Sequence, residues 1–133
     1  MIVIIPCGAR KLPYPAQAQS MYIGSYHKMC QRYARSLVCP DKIYILSAKY
    51  GLLRMTDKIQ PYSLTLGDFG CVTAAMVREQ AKEMGILCED AIAIGGKKYV
   101  NLCRAVWVGA KRPLQENVKG GNGMQMGWMR KQL

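Results

Sequence analysis

Ile2 to Ile5 form an unbroken β-branched run, and a strand that is apolar at every position needs cover on both of its faces. Three further short apolar runs follow, Lys42 to Leu46 ("KIYIL"), Ala91 to Ile94 and Ala105 to Val108 ("AVWV"). Stretches with helical spacing stand between them. Strands alternating with helices argue for a parallel sheet joined by right-handed crossovers, with helices on both faces. The expected fold class is therefore α/β, a single-domain three-layer sandwich with a mainly parallel sheet of about four strands. With 133 residues, the chain is long enough for one such domain and too short for two.

Between Gly24 and Leu37 the apolar residues Tyr26, Met29, Cys30, Tyr33 and Leu37 recur at spacings of three and four, which predicts an amphipathic helix. A second helix is expected over Val72 to Met84, stopped by Gly85, with Asp68 read as the cap at its start. A short one is expected from Lys97 to Cys103, and another near the end carrying Met126, Trp128 and Met129 after a glycine-rich stretch. Residues 6–20, and the long segment that follows "KIYIL" and runs through Pro61 to Gly70, read as loops.

Nineteen Lys and Arg against eight Asp and Glu leave a net charge of +11, a field that concentrates polyanions near the protein. DNA, RNA or a nucleotide is the expected partner, the alternative being a merely basic surface. The six cysteines include no C-x-x-C pair, and His27 is the only histidine, so neither a metal nor another cofactor is expected. With no secretory leader and no bilayer-length apolar run, the expected location is the cytoplasm, a host's if the source is viral. The oligomeric state is left open.

In a parallel sheet the ligand crevice lies beyond the carboxyl ends of the strands. Each predicted strand is followed by small and cationic residues: Cys7, Gly8, Arg10 and Lys11; Ser47, Lys49 and Gly51; Gly95, Gly96, Lys97 and Lys98; Gly109, Lys111 and Arg112. Small residues let backbone N–H groups approach a ligand, and a helix beginning there adds its positive end, so each loop suits an anion. Four such loops on a common rim would make a phosphate socket. None has the spacing of a Walker loop or of a dinucleotide fingerprint.

Cys7 beside Arg10 and Lys11 has surroundings that lower a thiol pKa, and it reads either as a nucleophile or as a small residue closing the strand. His27 reads either as a general acid or base or as a half-buried imidazole beside Ile23 and Cys30. Tyr50 and Tyr62 are placed to stack on a base or donate a hydrogen bond, or else to pack the long loop onto the sheet.

"ILSAKYGLLRMTDKIQPYSLTLGD", residues 45–68, resembles the most distinctive stretch of the YaaA peroxide-stress family. The chain is more similar still to small uncharacterised bacterial and phage domains. These share "CG" and a lysine after the first strand, the pattern of Tyr22, Gly24 and Ser25, "LSAKYGLL", and a glycine-rich end followed by Gln and Trp, here Gln125 and Trp128. More distantly, "PCGARKLPY" is similar to elements of archaeosine synthase, whose domain carrying them looks like the uracil-DNA-glycosylase fold. The resemblance implies that fold and marks Cys7, Lys11, Tyr22, Ser25, Ser47, Lys49, Tyr50, Gly51, Pro61 and Tyr62. Ser63 and Thr65 stand where such relatives usually carry an acid, so a carboxylate base does not transfer to that point.

The expectation is a base-acting enzyme on nucleic acid or a nucleotide, cleaving an N-glycosidic bond or modifying the base. Cys7, Lys11, Ser47, Lys49 and Tyr62 are the catalytic candidates. Gly8, Arg10, Tyr22, Ser25, His27, Tyr50, Gly51, Pro61, Gly95, Gly96, Lys97 and Gln125 are the candidates for binding. The alternatives are a non-catalytic DNA-binding protein and a small-nucleotide binder of phage or stress response.

Overall fold

The computed structural model describes residues 1–133. The first strand, β1 (Ile2–Pro6), is buried at all five positions and forms the centre of a four-stranded sheet. On one side it pairs in parallel with β3 (Ile43–Ser47), with Ile5 opposite Ile45; on the other it pairs in parallel with β6 (Ala91–Ala93), with Val3 opposite Ile92. The outer strand β4 (Gly51–Arg54) returns antiparallel to β3, giving the order β4-β3-β1-β6. A separate two-stranded ribbon joins β2 (Ala16–Gln17) to β5 (Lys58–Ile59).

Alternation along β1 assigns its side chains to two cores. Val3 and Ile5 enter one, with Met29, Cys30 and Ala34 of helix α2 (Ser25–Leu37) and Met129 of α6 (Asn122–Lys131). Ile2 and Ile4 enter the other, with Val77 and Ala81 of α3 (Ala74–Glu83) and Val100 and Cys103 of α4 (Lys97–Val106). Two short helices, α1 (Ala18–Met21) and α5 (Pro113–Asn117), lie on the first face and bury Met21 and Leu114 there. The architecture is thus α/β, a mostly parallel mixed sheet between two helical layers. All six cysteines are free thiols, and no helix is long and apolar enough to cross a membrane.

Three expectations need correction. "AVWV" is not a strand: Ala105 and Val106 end α4, and Trp107 caps it while donating its indole N–H to the Ile86 carbonyl. That run is apolar because Val106 and Trp107 fill the second core, a demand a helix end meets as well as a strand. The fourth strand is instead β4, inside a segment read as loop, where the "LL" of "GLLR" is buried. Asp68 does not cap α3. Thr73 does, its Oγ1 accepting from Met76 N, while Asp68 accepts from Thr65 N within its own turn.

Candidate functional site

The chain leaves β1 at Pro6, and Cys7 to Arg10 form one wall of a pocket of about 410 Å³. Opposite them lie Gly24 to His27 at the start of α2, Gly96 and Tyr99 at the start of α4, and Asn122 at the start of α6. Three helix N-termini therefore point at one space. Their N-cap residues are Gly24, Gly96 and Gly121, no side chain caps any of the three, and none has an acid in its first turn. Free N–H groups at the positive ends of three helices favour a bound anion.

No Asp or Glu lines this pocket, and Arg10 does. The single ion pair of the structure joins the N-terminal amine to Glu89, so no Lys or Arg is neutralised by a carboxylate contact. Glu89 is partly exposed, and the amine beside it, by hydrogen bond and charge, holds its carboxyl below the usual range.

At the pocket wall Cys7 Sγ and Tyr99 OH share a hydrogen bond of 3.2 Å in which either can donate. Burial, reinforced by the nearby Cys7 thiol, raises the Tyr99 phenol well above its usual range, so it keeps its proton at neutral pH. His27 lines the pocket but is committed elsewhere. With Nδ1 2.8 Å from the Pro6 carbonyl and Nε2 2.9 Å from the Gln31 amide nitrogen, it fits the neutral tautomer that donates from Nδ1 and accepts at Nε2. Burial pushes its pKa down to about 4, against the opposing pull of the Pro6 carbonyl. It is 2% exposed, fully buried rather than half-buried.

Next to the pocket the other marked residues build a second constellation. Ser47 Oγ donates to Tyr62 OH at 2.7 Å, and Tyr62 OH shares a 2.6 Å hydrogen bond with Tyr22 OH. Ser47 Oγ also accepts from the backbone N–H groups of Lys49 and Tyr50, which fixes the turn after β3. Lys11 lies over the Tyr62 ring, Nζ 4.3 Å from its centroid, and Lys49 lies 5.3 Å from the centroid of Tyr50. Burial raises the Tyr22 and Tyr62 phenols and lowers Lys11, the last against an opposing pull from Cys7. Tyr62 makes edge contacts with Tyr22 and Tyr50, and the Lys11 ammonium lies over one face of its ring. Pro61 is half-buried beside it in the chain.

Cys7, Gly8, Arg10, Ser25, His27 and Gly96 thus share the pocket. Lys11, Tyr22, Ser47, Lys49, Tyr50 and Tyr62 form the tyrosine cluster behind it. Lys97 and Gln125 line a neighbouring pocket. Gly51 and Gly95 hold backbone conformations that other residues adopt only with strain. At Gly51 (φ +76°) a side chain would collide with the Gln80 amide, and at Gly95 (φ +136°) a Cβ would sit 3.0 Å from Pro6. The fourth cationic loop is displaced. Gly109 lies with Leu87 to Ala91 at the opposite end of β6, and Lys111 pairs through its backbone with Ala91 and Ala93 along that strand. Tyr26, Tyr99 and Asn122 line the pocket without having been singled out. The two tyrosines occupy apolar positions of first helical turns and look like core residues in the sequence.

The profile of a family of unknown function matches residues 2–131, nearly the whole chain and every element of the pocket. The chain belongs to that family, DUF6884. This DUF6884 chain is also similar to the uncharacterized protein YfjM of Bacillus subtilis (strain 168), with 36% identity over 115 residues, covering 79% of the chain and 75% of the relative. No solved structure matches it significantly.

Proposed function

We propose that the protein binds the phosphate of a nucleotide or nucleic-acid strand in the pocket at the head of β1 and acts on the attached base, with Cys7 as the attacking group. The observation that carries this reading is the meeting of three uncapped, acid-free helix N-termini on a space that also holds Arg10 and the Cys7–Tyr99 pair. The phosphate would take the free N–H groups and the guanidinium, and binding there would hold the rest of the ligand against the thiol. Addition would place the Cys7 sulfur on a ring carbon and the thiol proton on the adjoining ring atom, with Tyr99, which keeps its own proton, donating a hydrogen bond to the sulfur. Hydrolysis of an N-glycosidic bond needs a group to activate water, and the pocket offers no carboxylate and no free imidazole. Substitution on the base is therefore favoured over cleavage. Lys11, partly desolvated beside Cys7, would stabilise negative charge that develops there.

The finer kinships belong to the same reading. A YaaA-like origin, with the sheet arranged as in uracil-DNA glycosylases, is supported by "LSAKYGLL" and "PCGARKLPY" lying at the strand ends that face this region.

The missing carboxylate also favours a second reading, a phosphate-dependent binder without turnover. Mass spectrometry of material released on denaturing the purified protein tests the first step, a nucleotide or modified base being the expected result. Conversion of that compound, or of its nucleic-acid form, by the native protein but not by Cys7→Ala supports the enzyme. Tight binding with no conversion by either supports the binder.

A further inference from the structure

A second pocket, also about 410 Å³, adjoins the first and includes Lys97, Gln115, Lys119, Gly120 and Gln125. The two share their partition in three places. Gly96 faces the first and the next residue, Lys97, faces the second. Asn122 and Gly120 flank Gly121, the uncapped N-cap of α6, on either side. Tyr26 lines the first pocket and donates its hydroxyl to the Oε1 of Gln125, which lines the second.

Gln125 is only 9% exposed, yet that is the one hydrogen bond of its side chain, so its amide N–H₂ has no protein partner. Gln115 spends its amide N–H₂ on the Gly95 carbonyl and leaves Oε1 buried without a partner. The Gln115 oxygen is shut off from solvent, whereas the Gln125 amide is free at the pocket's edge to meet water or a bound group. The matching group must be polar, and two exposed lysines with no carboxylate among the lining residues make it anionic.

We propose that this second pocket holds the next phosphate of the same strand, so that the ligand is a polynucleotide segment of at least two linked nucleotides rather than a mononucleotide. The inference rests on the phosphate reading of the first pocket and deepens it. The polarity of the site is what a phosphodiester would use: Lys97 and Lys119 give charge, and the Gln125 amide gives a directed donor.

The test compares binding of mononucleotides with that of single-stranded oligonucleotides of increasing length, in DNA and RNA forms, by calorimetry and fluorescence anisotropy. The native protein is set against the double variant Lys97→Ala/Lys119→Ala. Both lysines are exposed, so the variant should fold, and its melting curve checks this. Affinity is expected to rise at the dinucleotide, and the double variant should lose that gain while binding mononucleotide like the native protein. Losing the contact to that one phosphate should also flatten the salt dependence by about 0.7 logarithmic units per decade of salt. Gln125→Glu, which puts a carboxylate where the free amide was, should weaken the oligonucleotide more than the mononucleotide. A gain confined to DNA or to RNA supports the proposal and names the sugar. Mononucleotide binding with no length dependence overturns this proposal alone, whereas failure to bind either overturns the phosphate reading with it.

Discussion

The Cys7 thiol and the Tyr99 hydroxyl lie 3.2 Å apart and tie the end of β1 to the first turn of α4 across the pocket. Both groups border space that a ligand can enter. If Cys7 attacks the base, Cys7→Ala abolishes turnover with binding nearly intact, and Tyr99→Phe lowers it by about 100-fold, the usual cost of one well-placed hydrogen-bonding group. Alkylation gives a check independent of turnover. With the exposed Cys39 and Cys88 replaced by Ser, bound phosphate or nucleotide should slow modification of Cys7 and leave that of Cys71 unchanged, read by peptide mass spectrometry.

His27 sets a pH limit on stability. Its folded pKa of about 4 lies below the ordinary 6.5, so the unfolded chain takes up a proton at a pH where the native one does not. Stability should be complete above about pH 6.5, fall as pH drops from there to about 4, and lose nothing more from this group below that. The full loss is about 3 kcal/mol. Urea unfolding from pH 7.5 to 4 should show this decline, and His27→Gln, less stable at neutral pH, should lack most of it. Parallel declines in the two proteins would remove His27 as the cause.

Tyr62 ties the tyrosine cluster together. Tyr62→Phe removes the hydroxyl that accepts from the fully buried Ser47 and is bonded to Tyr22, leaving Ser47 with an unmet donor. The expected loss is about 1–3 kcal/mol of stability, with little change in ligand affinity. Denaturant unfolding and calorimetry on the same sample separate the two effects. A large loss of affinity at unchanged stability would restore Tyr62 to the binding site.

The parallel core of this fold is legible because burial on both faces leaves a continuous mark, as in "IVII" and "KIYIL". The mark misleads where a helix end is equally buried, as at "AVWV", and it vanishes where a strand is four residues long, as in β4. Among site residues, Cys7, Gly8, Arg10 and Gly96 could be found because strand ends attract ligands in such sheets. Tyr26 and Tyr99 could not. Each sits in the first turn of an amphipathic helix, where an apolar position faces either the core or the crevice beyond it, and only the length of the preceding loop decides between them. Gly51 shows a second demand on a glycine after a strand, the positive φ of the turn into β4.

That demand makes Gly51 a site with a definite sign. Its φ of +76° strains any other residue, and a Cβ there would also displace the Gln80 amide, which donates to Tyr50 O and accepts from Leu52 N. Gly51→Ala should therefore destabilise by about 2–4 kcal/mol, the backbone strain being joined by broken hydrogen bonds. Gly123→Ala, at an exposed position of α6 with open space around it, should instead stabilise by up to about 1 kcal/mol. Urea midpoints moving the same way in both variants would refute this account of Gly51.

The unneutralised cations predict how the free protein responds to salt. With no Lys or Arg in an ion pair and a net charge of +11, added sodium chloride should raise the melting temperature by screening repulsion. Phosphate at equal ionic strength should raise it further if the three helix N-termini and Arg10 form a true anion site, because a ligand held by the native state alone adds its binding free energy to stability. At a hundred times its dissociation constant that addition is about 2.7 kcal/mol, a shift of several degrees for a domain of this size. Arg10→Ala should shrink the excess of phosphate over chloride and leave the chloride effect in place, since screening depends on total charge and the excess on one guanidinium. Equal shifts from the two salts in the native protein would mean that the helix ends bind no anion, and the phosphate reading of the pocket would fall with them.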